Sequence, residues 1–181
     1  MARRVWFGEF TPNIPIVVTP GGTGACDQEG CRNSTTFNPV GPATGSYWMA
    51  ETDFRLNLLV FVNGSTINVP QPGGLTPSVP AIEGFGSKVF LVVRGRYNEV
   101  WVNIWDGINW SGWVYNGGTL NSPDLVVFNN TLFLAVVGLF HEIDVNKYTT
   151  TWLGWQNLGG YLNDAQICTD PVQIGCNFVL M

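Results

Sequence analysis

Trp110-Ser111-Gly112-Trp113, with Gly117-Gly118 close behind, returns downstream as Trp152-Leu153-Gly154-Trp155 with Gly159-Gly160 close behind, 42 residues later. Self-similarity at a fixed period of about 20 to 50 residues marks solenoids, propellers and other arrays, because each repeat buries its apolar face only against its neighbours. The register extends upstream: Val89-Phe90-Leu91-Val92-Val93-Arg94-Gly95 falls on Leu132-Phe133-Leu134-Ala135-Val136-Val137-Gly138 at an offset of 43, and Glu99, Val102 and Asn103 fall on Glu142, Val145 and Asn146 at the same offset.

Each repeat reads as four short strands, because apolar and aromatic runs alternate with turn residues. In one unit the runs predict strands near 79–83, 88–93, 99–105 and 110–115. In the next they predict 124–128, 132–137, 142–148 and 152–158, with Asn129-Asn130 as a two-residue hairpin turn. A worn unit precedes these: Tyr47-Trp48-Met49-Ala50 and the run from Phe54 to Gly64 match residues 90–93 and 97–107 at an offset of 43, and Gly73-Gly74 ends it. Its last strand, expected near 66–69, has lost both tryptophans.

A fourth unit is split between the chain ends. Residues 164–168 and 175–181 resemble the first two strands of a unit, with Phe178-Val179-Leu180 in place of Phe90-Leu91-Val92. Residues 4–10 resemble 98–104, and 14–18 lead to Gly21-Gly22. The spacings from Gly22 to Gly74, to Gly118 and to Gly160 are 52, 44 and 42, and from Gly160 through Met181 round to Gly22 the spacing is 43. The expected architecture is therefore all-β: a β-propeller of four four-stranded blades in one domain, with units at about 23–74, 75–118, 119–160, and 161–181 joined with 1–22. The one long interval holds an expected insertion, a surface loop over 23–45.

Composition agrees with many short strands. Charged residues are 12% of the chain, aromatics are 13%, and Gly and Pro contribute 22 and 11 residues, which favours tight turns over helices. The net charge of −5, with lysine only at Lys88 and Lys147, argues against a nucleic-acid partner, which needs a Lys/Arg footprint. No apolar run approaches the length of a membrane span, so no membrane insertion is expected. The start, Met1-Ala2-Arg3-Arg4, leads straight into Val5-Trp6-Phe7 without the apolar stretch and cleavage site of a secretory signal.

The four cysteines fall in two close pairs, Cys26 with Cys31 and Cys168 with Cys176. The favoured reading is two disulfides, each clipping a local hairpin, which suits an extracellular or virion-associated setting. The alternative, a metal site with Asp27 and Glu29, has no Cys-x-x-Cys and a single histidine, His141, to draw on, and no metal or other cofactor is expected.

The run Val93-Arg94-Gly95 … Asn98 … Trp105-Asp106-Gly107-Ile108-Asn109-Trp110-Ser111-Gly112-Trp113 … Gly117-Gly118, echoed by Trp152-Leu153-Gly154-Trp155-Gln156-Asn157-Leu158-Gly159-Gly160, resembles the repeats of the PLL-like lectin propellers, the group of bacterial fucose-binding and fungal fruit-body lectins. The match covers residues 73–160, and the rest by register. The chain departs from that family in having four units, of which two lack the paired tryptophans. The resemblance implies a non-enzymatic binder of a glycan ligand, with shallow sites between neighbouring blades. The aromatics matching the motif are Trp110, Trp113, Trp152 and Trp155, and their polar neighbours are Asp106, Asn109 and Asn103. A sugar's C–H face packs on such rings while its hydroxyls need fixed donors and acceptors. The same indoles could instead be wedges between blades, with their N–H groups bonded locally.

Catalysis is not expected. No nucleophile elbow accompanies His141, and the carboxylate pairs Glu142 with Asp144 and Glu51 with Asp53 are i, i+2 neighbours on one strand face, close by construction. Asp106 to Trp110 is one residue short of a sialidase-type Asp box. Asn33, Asn63, Asn109 and Asn129 are sequons that matter only in a eukaryotic secretory pathway. The rival expectation is a structural or assembly protein, a virion or filament subunit, self-associating through terminal strands Val5–Phe10 and Phe178–Met181. Closure of the split blade could be within one chain or between chains.

Overall fold

A computed structural model describes residues 48–161 fully and, outside them, the backbone of five short strands: β1 (Cys26–Asp27), β2 (Gly30–Cys31), β3 (Asn33–Phe37), β14 (Ile167–Cys168) and β15 (Phe178–Val179). The chain is all-β, with a single 3-10 turn at Thr66–Asn68 among the described residues. Two complete antiparallel meanders dominate. One runs β6 (Ala81–Phe85), β7 (Lys88–Arg94), β8 (Glu99–Trp105), β9 (Val114–Gly118); the other runs β10 (Asp124–Phe128), β11 (Thr131–Val137), β12 (Ile143–Tyr148), β13 (Trp152–Gly159). A third sheet joins β3 to β4 (Trp48–Thr52) and β5 (Leu58–Val62).

The sheets lie face to face, and the two apolar runs at the heart of the repeat explain why. Strands buried on one face alternate apolar and polar residues; strands buried on both faces are apolar throughout. Along β7, Val89, Leu91 and Val93 pack with Trp48, Ala50, Leu58, Val60 and Val62 of the β3–β5 sheet. The intervening Phe90 and Val92 pack with Leu132, Leu134 and Val136 of β11. The opposite side of β11, through Phe133, Ala135 and Val137, joins Ile143 and Val145 in a further core. β7 is thus the filling between two neighbours. The first strands adjoin one another, with β6 contacting both β3 and β10.

Turn chemistry sets the registers. Asn129 and Asn130 occupy left-handed conformations, φ 46° and 54°, between the paired Phe128 and Thr131, as a type I′ hairpin requires. The link between second and third strands recurs in all three sheets as a five-residue turn: Asp53–Asn57, Gly95–Glu99 and Gly138–Glu142. In each, the first residue's N–H donates to the last residue's carbonyl, at 3.0, 2.7 and 2.8 Å. In each the fourth residue, Leu56, Asn98 or His141, takes a positive φ.

The structure departs from the sequence expectations in four places. The supposed insertion carries sheet: Asn33–Phe37 is the outer strand of the first sheet, paired residue by residue with β4. Its threonines have the β-branching that a pleated surface accepts. The fourth strand expected near 66–69 is the 3-10 turn, and a side chain takes its place on the edge of β5. Gln71 accepts the Val60 N–H at 2.8 Å and donates to the Val60 carbonyl at 2.9 Å, as a neighbouring strand would. The strand expected at 110–115 begins at Val114, because Trp110 is held beside Trp105 by an isolated bridge across the Asp106 turn. Finally, β14 and β15 pair in parallel, Ile167 opposite Phe178, where consecutive strands of one meander would be antiparallel.

Cys26 stands opposite Cys31 in the register of β1 and β2. The side chains of all four cysteines, and hence both expected disulfides, lie outside the described residues, as does the expected strand Val5–Phe10. Among the described residues, no helix is long and apolar enough to cross a membrane.

Candidate functional site

The two tryptophan motifs occupy two separate sheet junctions. At the junction of the β3–β5 and β6–β9 sheets, Trp110 donates its indole N–H to the Pro70 carbonyl at 2.7 Å, and Trp113 donates to the Gly73 carbonyl at 3.3 Å. Trp110 also packs on Trp48 and Trp105, with centroids 6.3 and 5.5 Å away. At the next junction, Trp155 donates to the Asn116 carbonyl at 3.0 Å.

This geometry explains why the double glycine accompanies the tryptophan pair. A β-carbon on Gly117 would stand 2.7 Å from Trp155 Nε1, and one on Gly74 would stand 3.4 Å from Trp113 Nε1. The second tryptophan of each unit lies across the bare backbone of the double glycine in the unit before it. Trp113 and Trp155 are therefore latches between sheets, with their polar atoms already engaged.

The polar residues divide in the same way. Asn103 is buried, 1% exposed, and its Oδ1 accepts from the Ser111 hydroxyl, whose oxygen also accepts the Ile104 N–H. Asn146 does the equivalent work one unit later, accepting the Gly154 N–H at 3.0 Å. Asp106 closes the exposed turn before Trp110 by accepting the N–H groups of Ile108 and Asn109 at 2.8 and 2.7 Å. Those bonds hold its carboxyl below its ordinary range, the one from Asn109 contributing most. Asn109 is exposed in that turn. The seven residues nominated from sequence thus do not converge on one pocket.

Trp152 differs from the other three. It packs against Tyr148 and Phe90, centroids 5.2 and 6.2 Å away, and lines a cleft of about 290 Å³ between the two complete sheets. Tyr115 and Asn116 of β9 share its lining, with Ser111, Thr150 and Thr151. Asn116 Oδ1 accepts from Asn146 Nδ2 at 3.3 Å, while its own Nδ2 is buried without a partner.

Sequence reasoning passed over Asn116, Tyr115, Thr150 and Thr151. Asn116 has Leu158 as its counterpart in the next unit, so a search for repetition discards it. The threonines sit in the turn before β13, where Ser and Thr are ordinarily read as punctuation.

The remaining candidates have structural duties. Glu142 Oε2 accepts the Phe140 N–H at 2.8 Å, and Asp53 accepts from Arg55 and Asn57, so these carboxylates build turns. Asp144 is raised above its ordinary value by burial and by the neighbouring Glu142. His141 lies in a turn, stacked on Tyr161 at 4.7 Å. Among the described residues, no group of three or more histidine, cysteine, aspartate or glutamate side chains could hold a metal ion. Neither a scan of protein-family models nor a search of curated proteins finds a match for this chain.

Proposed function

We propose that the chain is a carbohydrate-binding module of the PLL-like lectin type, in which the stacked sheets and the terminal strands close into a four-unit propeller. The sugar occupies the cleft between the β6–β9 and β10–β13 sheets. The carrying observation is the cleft itself, where Trp152 and Tyr115 supply apolar walls and Thr150 and Thr151 bring hydroxyls. A volume of about 290 Å³ suits one or two sugar rings rather than a long chain. The C–H face of a pyranose packs on the indole, and the hydroxyls of Thr150 and Thr151, which line the same cleft, bond the sugar's hydroxyls. The ligand is bound and released unchanged.

Trp110, Trp113 and Trp155 act in this reading as scaffolding, and Trp152 is the one tryptophan of the two motifs that meets the sugar. A glycan array followed by monosaccharide titration tests it. Binding should appear at one ring type and disappear in Trp152→Ala, with Trp113→Phe retaining it. An array with no hit, together with unchanged indole fluorescence on titrating monosaccharides, would remove the proposal.

A further inference from the structure

Three of the four motif tryptophans spend their indole N–H on backbone of the preceding unit, and the fourth does not. Trp110, Trp113 and Trp155 donate to the Pro70, Gly73 and Asn116 carbonyls. Trp152 is half-buried like the other three, yet its N–H donates to no group among the described residues. Nor is that N–H sealed in a core. The buried side-chain polar atoms without partners among the described residues are Trp48 Nε1, Arg94 Nε and Asn116 Nδ2, so Trp152 Nε1 is open to solvent.

The two preceding units differ where each indole meets them. Pro70 stands 40 residues before Trp110, in the stretch where the worn unit lacks a fourth strand and its backbone can offer a carbonyl sideways. Gly112 stands the same distance before Trp152, and it leads directly into β9, where Val114 pairs with Val102 and Tyr115 with Trp101. The Gly112 carbonyl lies 3.1 Å from the Ser111 hydroxyl, and no bond joins it to Trp152. A true fourth strand thus leaves the Trp152 indole without the acceptor that the worn unit supplies to Trp110, and Trp152 lines the cleft instead.

We propose that the Trp152 N–H is the fixed donor by which the cleft reads its ligand, accepted by an oxygen of the bound sugar at the edge of the ring on which its C–H face rests. The inference builds on the sugar reading of the cleft and adds the group that sets orientation. An indole N–H donates and cannot accept, so it demands a lone pair at that place, whereas the hydroxyls of Thr150 and Thr151 can play either part. The donor has no internal bond to give up when a ligand arrives, so the new bond replaces water alone and adds to affinity. The packing of Trp152 on Phe90 and Tyr148 holds the ring, and with it the direction of the N–H, in place before binding.

Replacing Trp152 in the full chain by 3-benzothienylalanine, which keeps the fused ring and puts sulfur where the N–H was, tests the proposal. Parent and variant are titrated by calorimetry with the methyl glycosides of galactose, mannose, glucose, fucose and N-acetylglucosamine, and melted in parallel. For each glycoside that the parent binds, the variant should bind about tenfold more weakly at an unchanged melting temperature, because no bond within the protein is lost. The same replacement at Trp110 should do the reverse, keeping affinity and lowering the melting temperature, because the Pro70 carbonyl loses its donor. In the indole region of a nitrogen-15 correlation spectrum, the resonance deleted by the Trp152 replacement should exchange with deuterium fastest of the four and shift on addition of the bound glycoside. Equal affinity of parent and Trp152 variant, or a Trp152 resonance that exchanges slowly or ignores the ligand, would overturn this inference and leave the sugar reading standing. A parent that binds none of the glycosides would remove both.

Discussion

Replacing Gly117 with alanine should cost far more than the same change at Gly112 or Gly154. Two physical contributions separate cleanly. Gly117, Gly112 and Gly154 all have positive φ, at 102°, 88° and 101°, so alanine at any of them bears a left-handed backbone cost of about 1–2 kcal/mol. Only at Gly117 does the new methyl also meet a wall: its β-carbon would stand 2.7 Å from Trp155 Nε1 and 3.1 Å from Cε2, whereas the other two positions have nothing within 4 Å. Forcing the indole aside adds about 1–3 kcal/mol of overpacking and strains its 3.0 Å bond to the Asn116 carbonyl. The expected loss is therefore about 2–5 kcal/mol for Gly117→Ala against about 1–2 kcal/mol for Gly112→Ala and Gly154→Ala. Gly74→Ala, with its nearest indole atom at 3.4 Å, should fall between them. Urea unfolding followed by near-ultraviolet circular dichroism reads these differences. A double cycle with Trp155→Ala closes the argument, since removing the indole should return Gly117→Ala to the backbone cost alone. If Gly117→Ala proves no worse than Gly154→Ala, the latch is not what the double glycine is for.

Three further outcomes are expected. Gln71→Ala should strip the edge of β5 of its substitute partner, costing about 1–2 kcal/mol and speeding amide exchange at Val60, since solvent can reach that edge only after the side chain leaves. Thr119→Val should cost about 1–3 kcal/mol by removing the buried hydroxyl that donates to the Asn121 carbonyl at 2.9 Å and accepts the Asn121 N–H at 3.2 Å, measurable by thermal unfolding. Glu83 on β6 is raised from 4.5 to about 8, chiefly by burial and further by the charge of Asp124. Below 4.5 both states carry the proton. Between there and about 8 the unfolded chain releases it first, so stability falls as pH rises through that window. Glu83→Gln should flatten that fall and raise stability near pH 8 by about 1 kcal/mol or more, read from urea midpoints across pH.

Much of the architecture was legible because strand and turn signals repeat. The doubly buried runs at β7 and β11, the Asn129-Asn130 hairpin and the pairing of tryptophans with double glycines were all visible as patterns. What the pattern does not disclose is that Trp113 belongs to Gly73-Gly74 rather than to its own Gly117-Gly118. Register along the chain cannot separate a contact within a unit from one across the junction. Losses are harder still. Where the worn unit lacks its fourth strand, a glutamine side chain does the pairing, and one residue leaves no periodic trace. The cleft was missed for the converse reason: Asn116, Thr150 and Thr151 matter where the units differ, and repetition selects against noticing them.

The latch has a direction. Each unit offers its double glycine forward and receives an indole from behind it in space but ahead of it in sequence, and no bond in the set reaches beyond the adjacent unit. An in-frame duplication of one 42-residue cassette would bring its own socket and its own plug, and could enter the array without retuning any other junction. A chain built on this latch can change its number of stacked sheets by such duplication, and a unit without the paired tryptophans, like the one ending in Gly73-Gly74, marks a place where such growth would meet a weakened joint.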